Sequence, residues 1–354
     1  MKLLYATSAL YPSKLANRAQ IFAMASAFHR ALGDAFMLGV PAAAVLEAPF
    51  TIVRIPGSLK SIALGWRYAR FIAREHITHV YCREERLLFF ITLFSRMRGT
   101  VPQYFFEAHW IQDTYMFRRA VHHAHVIAIT HALGDDLRAL GVPESNITIA
   151  PDGVDLARYT NAPTRAEART RYGIPSDAFV VGYTGSFTKH HDWKGVDTLL
   201  AAAPLMPEAQ FWLVGGAPEE VAALQSEVPA NVRLEGFVEA ADIPSVQVAC
   251  DVLVLPTKKG STMAERHTSP LKLFEYMASG TPIIASDLPS AREVLTDATA
   301  TWFVSGEAAS LRSAIAAVQQ DVPAAHHRAL AALEAVRAYT WDARASAIIQ
   351  VMRA

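Results

Sequence analysis

Cysteine is almost missing. The 354 residues hold two, Cys82 and Cys250, far apart in the chain. Such a pair makes neither a disulfide framework nor a metal site, and it fits a reducing, cytoplasmic setting. Long apolar runs are missing as well. The longest, residues 87–94 (LLFFITLF), falls well short of the roughly 18 residues that cross a bilayer. The opening MKLLY turns polar by Thr7, too soon for a secretory signal. No net charge accumulates, with 33 Lys+Arg against 33 Asp+Glu. No basic stripe is interleaved with aromatics, so nothing points to nucleic acid. No Gly-x-Gly-x-x-Gly is followed by an acid about 20 residues on, and VGGAPEE is only a partial match, which argues against a dinucleotide oxidoreductase. An Asp-x-Asp signature for a metal–diphosphate site is absent, and so are repeats and low-complexity tracts.

What remains is globular: 52% hydrophobic and 19% charged residues over a length that suggests two domains. Charge is unevenly spread. Residues 1–155 carry 16 Lys+Arg and 12 Asp+Glu, and the excess gathers before residue 100 in Arg67, Arg70, Arg74, Arg83, Arg86, Arg96 and Arg98. These arginines form either ordinary solvated surface or a contact for an anionic acceptor or membrane. Short β-type runs alternate with helical patterns throughout. KLLYATSA, THVYC, QYFFEAHW, HVIAIT and NITIA read as strands in the first half. FVVGYTGS, QFWLVGG, VRLEGF, DVLVLPT and PIIAS do so in the second. Strands alternating with helices imply parallel sheets covered on both faces. Two such series predict an α/β protein of two doubly wound Rossmann-like domains facing a cleft, with a junction around residues 154–163.

In open α/β sheets ligands sit beyond the carboxyl ends of strands. After DVLVLP comes a loop of about fourteen residues, TKKGSTMAERHTSP, whose last two residues open the stretch SPLKLFEYMASGT, residues 269–281. Ser269 suits a cap, Pro270 the first turn and Gly280 the position past the end. A helix start attracts anions. Lys272 in the first turn opposes the helix dipole unless an anion is near, and Glu275 one turn deeper suits the two hydroxyls of a ribose. The alternative is a surface pair between Lys272 and Glu275, three apart. After VVGYT, Gly185 permits close backbone approach and Lys194 is placed to reach a phosphate as a point charge; an ordinary turn with a solvated lysine is the alternative. In the first half FFEAHW puts Glu107 and His109 on one face of a strand end.

These segments, in order, resemble the retaining glycosyltransferases of family 4, which have the GT-B fold. NITIAPDGVDLARY, GYTGSF with DWKGVDTLL, FWLVGG, VRLEGFV with IPSVQVACDVLVLPT, and SPLKLFEYMASGTPIIASDLPSAREVL carry the resemblance, and YTWDARASAIIQVM is similar to the helix that crosses back to the first domain. The resemblance implies an acceptor-side domain over 1–157, a nucleotide-sugar domain over 158–340 and a crossing helix over 341–354. It implies that Glu275 holds the ribose, and that Thr268, Ser269, Pro270, Leu271 and His267 hold the donor sugar and distal phosphate. Lys194 would neutralise the leaving group, with Gly185 and Ser186 beside it. Phe237 and Val238 would frame the base, and His109, oriented by Glu107, would stand near the reacting carbon. Three positions depart from the pattern. His267 stands where a first glutamate is expected, with Glu265 two places too early. Ser186 replaces an arginine, for which Lys189 is the candidate substitute. The first strand lacks a glycine turn, leaving Asn17 or Arg18 on the acceptor side to supply that contact.

The implied reaction is transfer of a sugar from a nucleotide sugar to a hydroxyl of a glycan or lipid-linked acceptor with retention, in cell-surface polysaccharide or glycoconjugate synthesis. No metal or other cofactor is expected. The expected place is the cytoplasm or the cytoplasmic membrane face, with peripheral contact to anionic lipid set against a simple buried helix at residues 87–98. A nucleotide-sugar epimerase and a nucleotide-binding protein without catalysis are the rival functions.

Overall fold

The computed structural model describes residues 1–10, 16–44, 47–56, 61–189, 192–225, 228–260 and 262–354. Two compact units divide the chain: Met1–Asp152 with Trp341–Ala354, and Gly153–Thr340.

In the first unit strands β1 (Leu3–Ala6), β2 (Phe36–Pro41), β3 (Thr51–Ile55), β4 (His79–Cys82), β5 (Gln103–Ala108), β6 (His125–Ala128) and β7 (Ile147–Ile149) form one sheet ordered β3-β2-β1-β4-β5-β6-β7. Every pairing is parallel. The connecting helices are α1 (Ala16–Leu32), α2 (Ser61–Arg74), α3 (Glu85–Met97), α4 (Tyr115–His123) and α5 (His131–Ala139). All four side chains of LLYA in β1 are buried, as a central parallel strand covered on both faces requires. Strand order reverses between β1 and β4. There Glu84 accepts from Thr7 Oγ1 at 2.6 Å and from the Ser8 amide at 2.8 Å.

In the second unit the short helix α6 (Ala157–Thr160) and α7 (Arg165–Tyr172) lead into β8 (Phe179–Thr184). A two-stranded hairpin follows, β9 (Thr188–Lys189) and β10 (Asp192–Trp193). The alternation then runs α8 (Val196–Ala202), β11 (Ala209–Gly216), α9 (Pro218–Leu224), β12 (Val232–Gly236), α10 (Ile243–Ala249), β13 (Val252–Leu255), α11 (Leu271–Ser279), β14 (Ile283–Ser286), α12 (Pro289–Arg292), β15 (Thr301–Phe303), α13 (Ala308–Gln320) and α14 (Val322–Ala335). The six-stranded sheet is ordered β12-β11-β8-β13-β14-β15 and is parallel throughout. Its two faces follow from period two. In VLVL of β13, Leu253 and Leu255 join the core under α10 and α11, and Val252 and Val254 join the core under α8 and α13. Trp212 and Val214 of β11 face the first core, Phe211 and Leu213 the second. Each such buried side chain contributes about 1.5–3 kcal/mol.

The last helix, α15 (Trp341–Arg353), belongs to the first unit. It packs on α1, with Ala345, Ile348 and Ile349 buried, and Arg30 Nη2 lies 2.7 Å from Asp342. Among the described residues no helix is long and apolar enough to cross a membrane. The segment LLFFITLFSRMR is largely α3, with Leu87, Leu88 and Ile91 in the core and Leu93 and Met97 exposed.

Candidate functional site

The second unit's strand order reverses between β8 and β13, which makes the carboxyl ends of these strands the expected ligand crevice. Backbone fills it closely. Gly185, at φ +130°, would place a Cβ 2.8 Å from Lys272 Nζ, and Gly215, at φ +112°, would place one 2.8 Å from the Gly185 carbonyl oxygen. Gly195, at φ +85°, would drive a Cβ into the Pro256 carbonyl. Only glycine fits such contacts without strain. The hairpin closes through a bond from the Lys194 amide to the Phe187 carbonyl at 2.9 Å, and Lys194 Nζ donates to Ser186 Oγ at 2.5 Å.

Helix α11 is tied to β8 by polar contacts four residues apart. Lys272 Nζ donates to Tyr183 Oη at 2.6 Å and lies 3.9 Å from that ring's centroid; Tyr276 Oη accepts from the Thr184 amide at 2.9 Å. Burial, then the charge on Lys194, push the Lys272 ammonium well below the ordinary lysine range, against the opposing pull of Glu275. No carboxylate lies within ion-pair distance of Lys272 among the described residues. Glu275 instead meets Arg158 of α6, whose Nη1 lies 3.3 Å from Oε1 and whose Nη2 donates to the Ala240 carbonyl.

The start of α11 corrects one expectation. Pro270 has ψ 124° and takes the cap position, and the first turn closes from the Leu273 amide to the Pro270 carbonyl at 2.9 Å. Ser269 lies one place before the cap, and the cap residue, a proline, makes no side-chain capping bond. Gly280 closes the helix at φ +67°, in the left-handed conformation suited to glycine. Upstream, the loop after β13 folds into a π-helical turn, Met263–His267, in which His267 is buried. Glu265 Oε1 accepts from the Gly260 amide at 2.7 Å and Thr268 Oγ1 donates to the Met263 carbonyl at 2.6 Å, so both brace this turn.

In the first unit, His109 follows β5 and its Nε2 stands 2.7 Å from Glu107 Oε1. Glu107 is buried, and its Oε2 lies 3.0 Å from Arg344 Nη1 and accepts from Tyr81 Oη. Burial raises the Glu107 carboxyl, and Arg344, the His109 contact and Arg83 overcome this and hold it well below the usual carboxylate range. Burial and then Arg83 lower the His109 imidazole, outweighing Glu107 and Asp152.

Residues 178–321 match the family model of the glycosyl transferases group 1. The second unit carries a glycosyl transferases group 1 domain. A phosphatidyl-myo-inositol mannosyltransferase of Mycobacterium leprae is 30% identical over 221 residues, covering 61% of this chain and 54% of that protein. A 2-deoxystreptamine glucosyltransferase of Streptomyces kanamyceticus is 26% identical over 241 residues, 66% of this chain and 58% of that protein. The chain thus spans about half the length of these curated relatives. Among solved structures, Anabaena HepE in complex with UDP superposes with TM-score 0.79 at 18% identity over 100% of both chains. Sucrose-phosphate synthase of Thermosynechococcus elongatus gives 0.78 at 19%, over 99% of this chain and 98% of that one. Two Rossmann-like parallel-sheet units in this arrangement of strands are the GT-B fold.

Within the group 1 domain Gly185, Ser186, Lys194 and Lys272 come together, and Glu275 follows one turn along α11. Phe237, 47% exposed, and Val238, packed on the core, leave the end of β12 next to β11. Thr268, Ser269, Pro270 and Leu271 form the partly buried approach to α11. Arg18 sits in the first turn of α1. The side chains of Asn17 and Lys189 lie outside the described residues. Arg158 and Arg344 escaped the sequence because each acts on a carboxylate more than a hundred residues away.

Proposed function

We propose that the protein transfers a sugar from a nucleoside-diphosphate sugar to a hydroxyl of a glycan or lipid-linked acceptor, in the synthesis of a cell-surface polysaccharide or other glycoconjugate. The observation that carries this is Lys272: a partly buried ammonium without a carboxylate at ion-pair distance among the described residues, beside Lys194 at a glycine-lined strand end. Two positive charges drawn together, one of them partly buried, favour an anion of at least two charges, as a diphosphate is. Glu275 would take the ribose hydroxyls, with Arg158 holding the carboxylate in place. Residues 267–271 would meet the distal phosphate and the sugar, and Phe237 and Val238 the base. Lys194 would meet the charge that develops on the leaving diphosphate. The first unit would contribute His109, steadied by Glu107, with Arg18 and Asn17 on the acceptor side.

Retention belongs to the proposal because the sequence resembles retaining enzymes. Independence of a metal belongs to it because two lysines stand where the diphosphate charge would be met. Relatives named for phosphatidyl-myo-inositol and 2-deoxystreptamine support a ring hydroxyl as the acceptor. Incubation with UDP- and GDP-sugars, each with and without inositol- or glycan-bearing acceptors and with EDTA, tests this. We expect acceptor-dependent nucleoside diphosphate release that EDTA leaves unchanged, and a product with the donor's anomeric configuration by NMR. Conversion of the donor alone to an epimer would replace the proposal with the rival activity.

Peripheral binding to anionic membrane at the cytoplasmic face is a further part of the proposal. On the outer side of α2 and α3, Arg70 and Arg98 lie 4.9 and 5.5 Å from the Trp66 ring, with Ile62, Leu93 and Met97 exposed nearby in the sequence of these helices. Aromatic and apolar side chains among arginines suit a lipid interface. Flotation with phosphatidylserine vesicles is expected to bring the protein up at low salt and release it at high salt. Protein left behind at both salt concentrations would remove membrane contact from the proposal.

A further inference from the structure

Glu107 is 1% exposed, and the groups around its carboxylate are donors. Oε1 has His109 Nε2 at 2.7 Å and Arg83 Nη1 at 3.9 Å; Oε2 has Arg344 Nη1 at 3.0 Å and the Tyr81 hydroxyl. Arg344 comes from α15, 237 residues further along the chain. It is itself buried, donates from Nε to the Ala150 carbonyl at 3.2 Å, and touches Met24 Sδ on α1. Among the described residues its Nη2 is buried without a partner. An arginine held this deeply, with part of its hydrogen-bonding capacity unused, does more than join a helix to a sheet.

We infer that Arg344 is a positioning residue for His109: by keeping Glu107 a carboxylate, it fixes the imidazole with Nε2 protonated and the lone pair on Nδ1. A carboxylate only accepts, so the nitrogen facing it must donate. A neutral imidazole with hydrogen on Nε2 leaves Nδ1 free to accept a proton or hydrogen bond from a sugar hydroxyl. Without Arg344, burial weighs more heavily against the carboxylate at Glu107, and a protonated acid there could itself donate and release the tautomer. The C-terminal helix then sets the chemistry of a side chain on β5's exit as well as bracing the fold. Its bearing on catalysis rests on the role proposed above for His109.

The groups facing His109 and Glu107 are Tyr81 of β4, Arg83 just after it, Asp152 just past β7, and Arg344. Asp152 is held in turn by Gln20 of α1, whose Oε1 accepts from Arg83 at 2.6 Å. Removing the Arg344 charge makes proton uptake by the Glu107–His109 pair easier, so the titration midpoint must rise. Removing the Glu107 charge must lower it.

The test is side-chain ¹H–¹⁵N NMR of the full chain across pH, with His109 assigned by its loss in His109→Gln. Wild type is expected to show the Nε2–H tautomer at neutral pH. Arg344→Met is expected to raise the midpoint by about one pH unit or more, and Arg344→Lys, which keeps the charge, to hold it near wild type. An unmoved midpoint and tautomer in folded Arg344→Met overturn the inference, since a merely bracing helix would lower the melting temperature alone. If Arg344→Met does not fold, Glu107→Gln decides: a mixed or reversed tautomer with a lower midpoint supports the coupling, and an unchanged imidazole overturns it. His109→Ala with full turnover would instead remove His109 from the reaction and leave the measured coupling standing.

Discussion

Lys272→Met is expected to weaken nucleoside diphosphate binding about 100-fold, close to 2.7 kcal/mol, while the melting temperature stays level or rises. Both effects come from one observation. Lys272 is pushed below its ordinary range by burial and by Lys194, so below its unfolded value the folded protein bears the cost of charging it. Methionine fills a similar volume on the Tyr183 ring without that cost. A bound diphosphate would reverse the preference and draw a proton onto the amine. Binding to wild type should therefore take up protons at pH values between the free and bound values of Lys272, seen as a dependence of the calorimetric enthalpy on buffer ionisation enthalpy. Lys272→Met should lose that dependence along with the affinity. A variant that binds as tightly as wild type would make Lys272 a packing residue.

His109→Ala is expected to lower turnover about 100-fold and to leave nucleotide affinity within about twofold, because its partners lie in the first unit and the proposed nucleotide contacts in the second. The cause is the fixed imidazole: neutral, donating from Nε2 to a carboxylate held by Arg344. Steady-state release of nucleoside diphosphate, set beside a direct binding titration, separates the two quantities. Full turnover would take His109 out of the reaction, and equal losses in affinity and turnover would make it a structural residue.

Much of the architecture is legible because parallel strands buried on both faces read as short apolar runs. LLYA, VLVL and IIAS have all four side chains buried. Residues 36–55 were not. Gly39 and Pro41 look like breakers in FMLGVP, yet this is β2, next to central β1. Gly39 is required there because a Cβ would stand 2.5 Å from the Tyr68 ring, a reason supplied by α2 rather than by the strand. Its neighbour β3, TIVRI, is an edge strand with one buried residue, so its pattern is weak. In the site, Gly185, Lys194 and Glu275 follow from where glycine, lysine and acid fall after strands. The direction of Lys272 does not. Spacing three apart on a helix pairs it equally well with Glu275, whereas the hydroxyl and ring of Tyr183, far away in the sequence, draw the ammonium inward. Arg158 then takes the carboxylate that Lys272 leaves.

The most direct measurement is a calorimetric titration of UDP, GDP and ADP into the wild-type protein and Glu275→Ala. One nucleotide should bind the wild type, and the variant should bind it about 1–3 kcal/mol more weakly with its melting curve intact. If none of the three binds, or the variant binds as well as wild type, the end of β8 and the start of α11 are not a nucleotide site, and Glu275 serves only to hold Arg158.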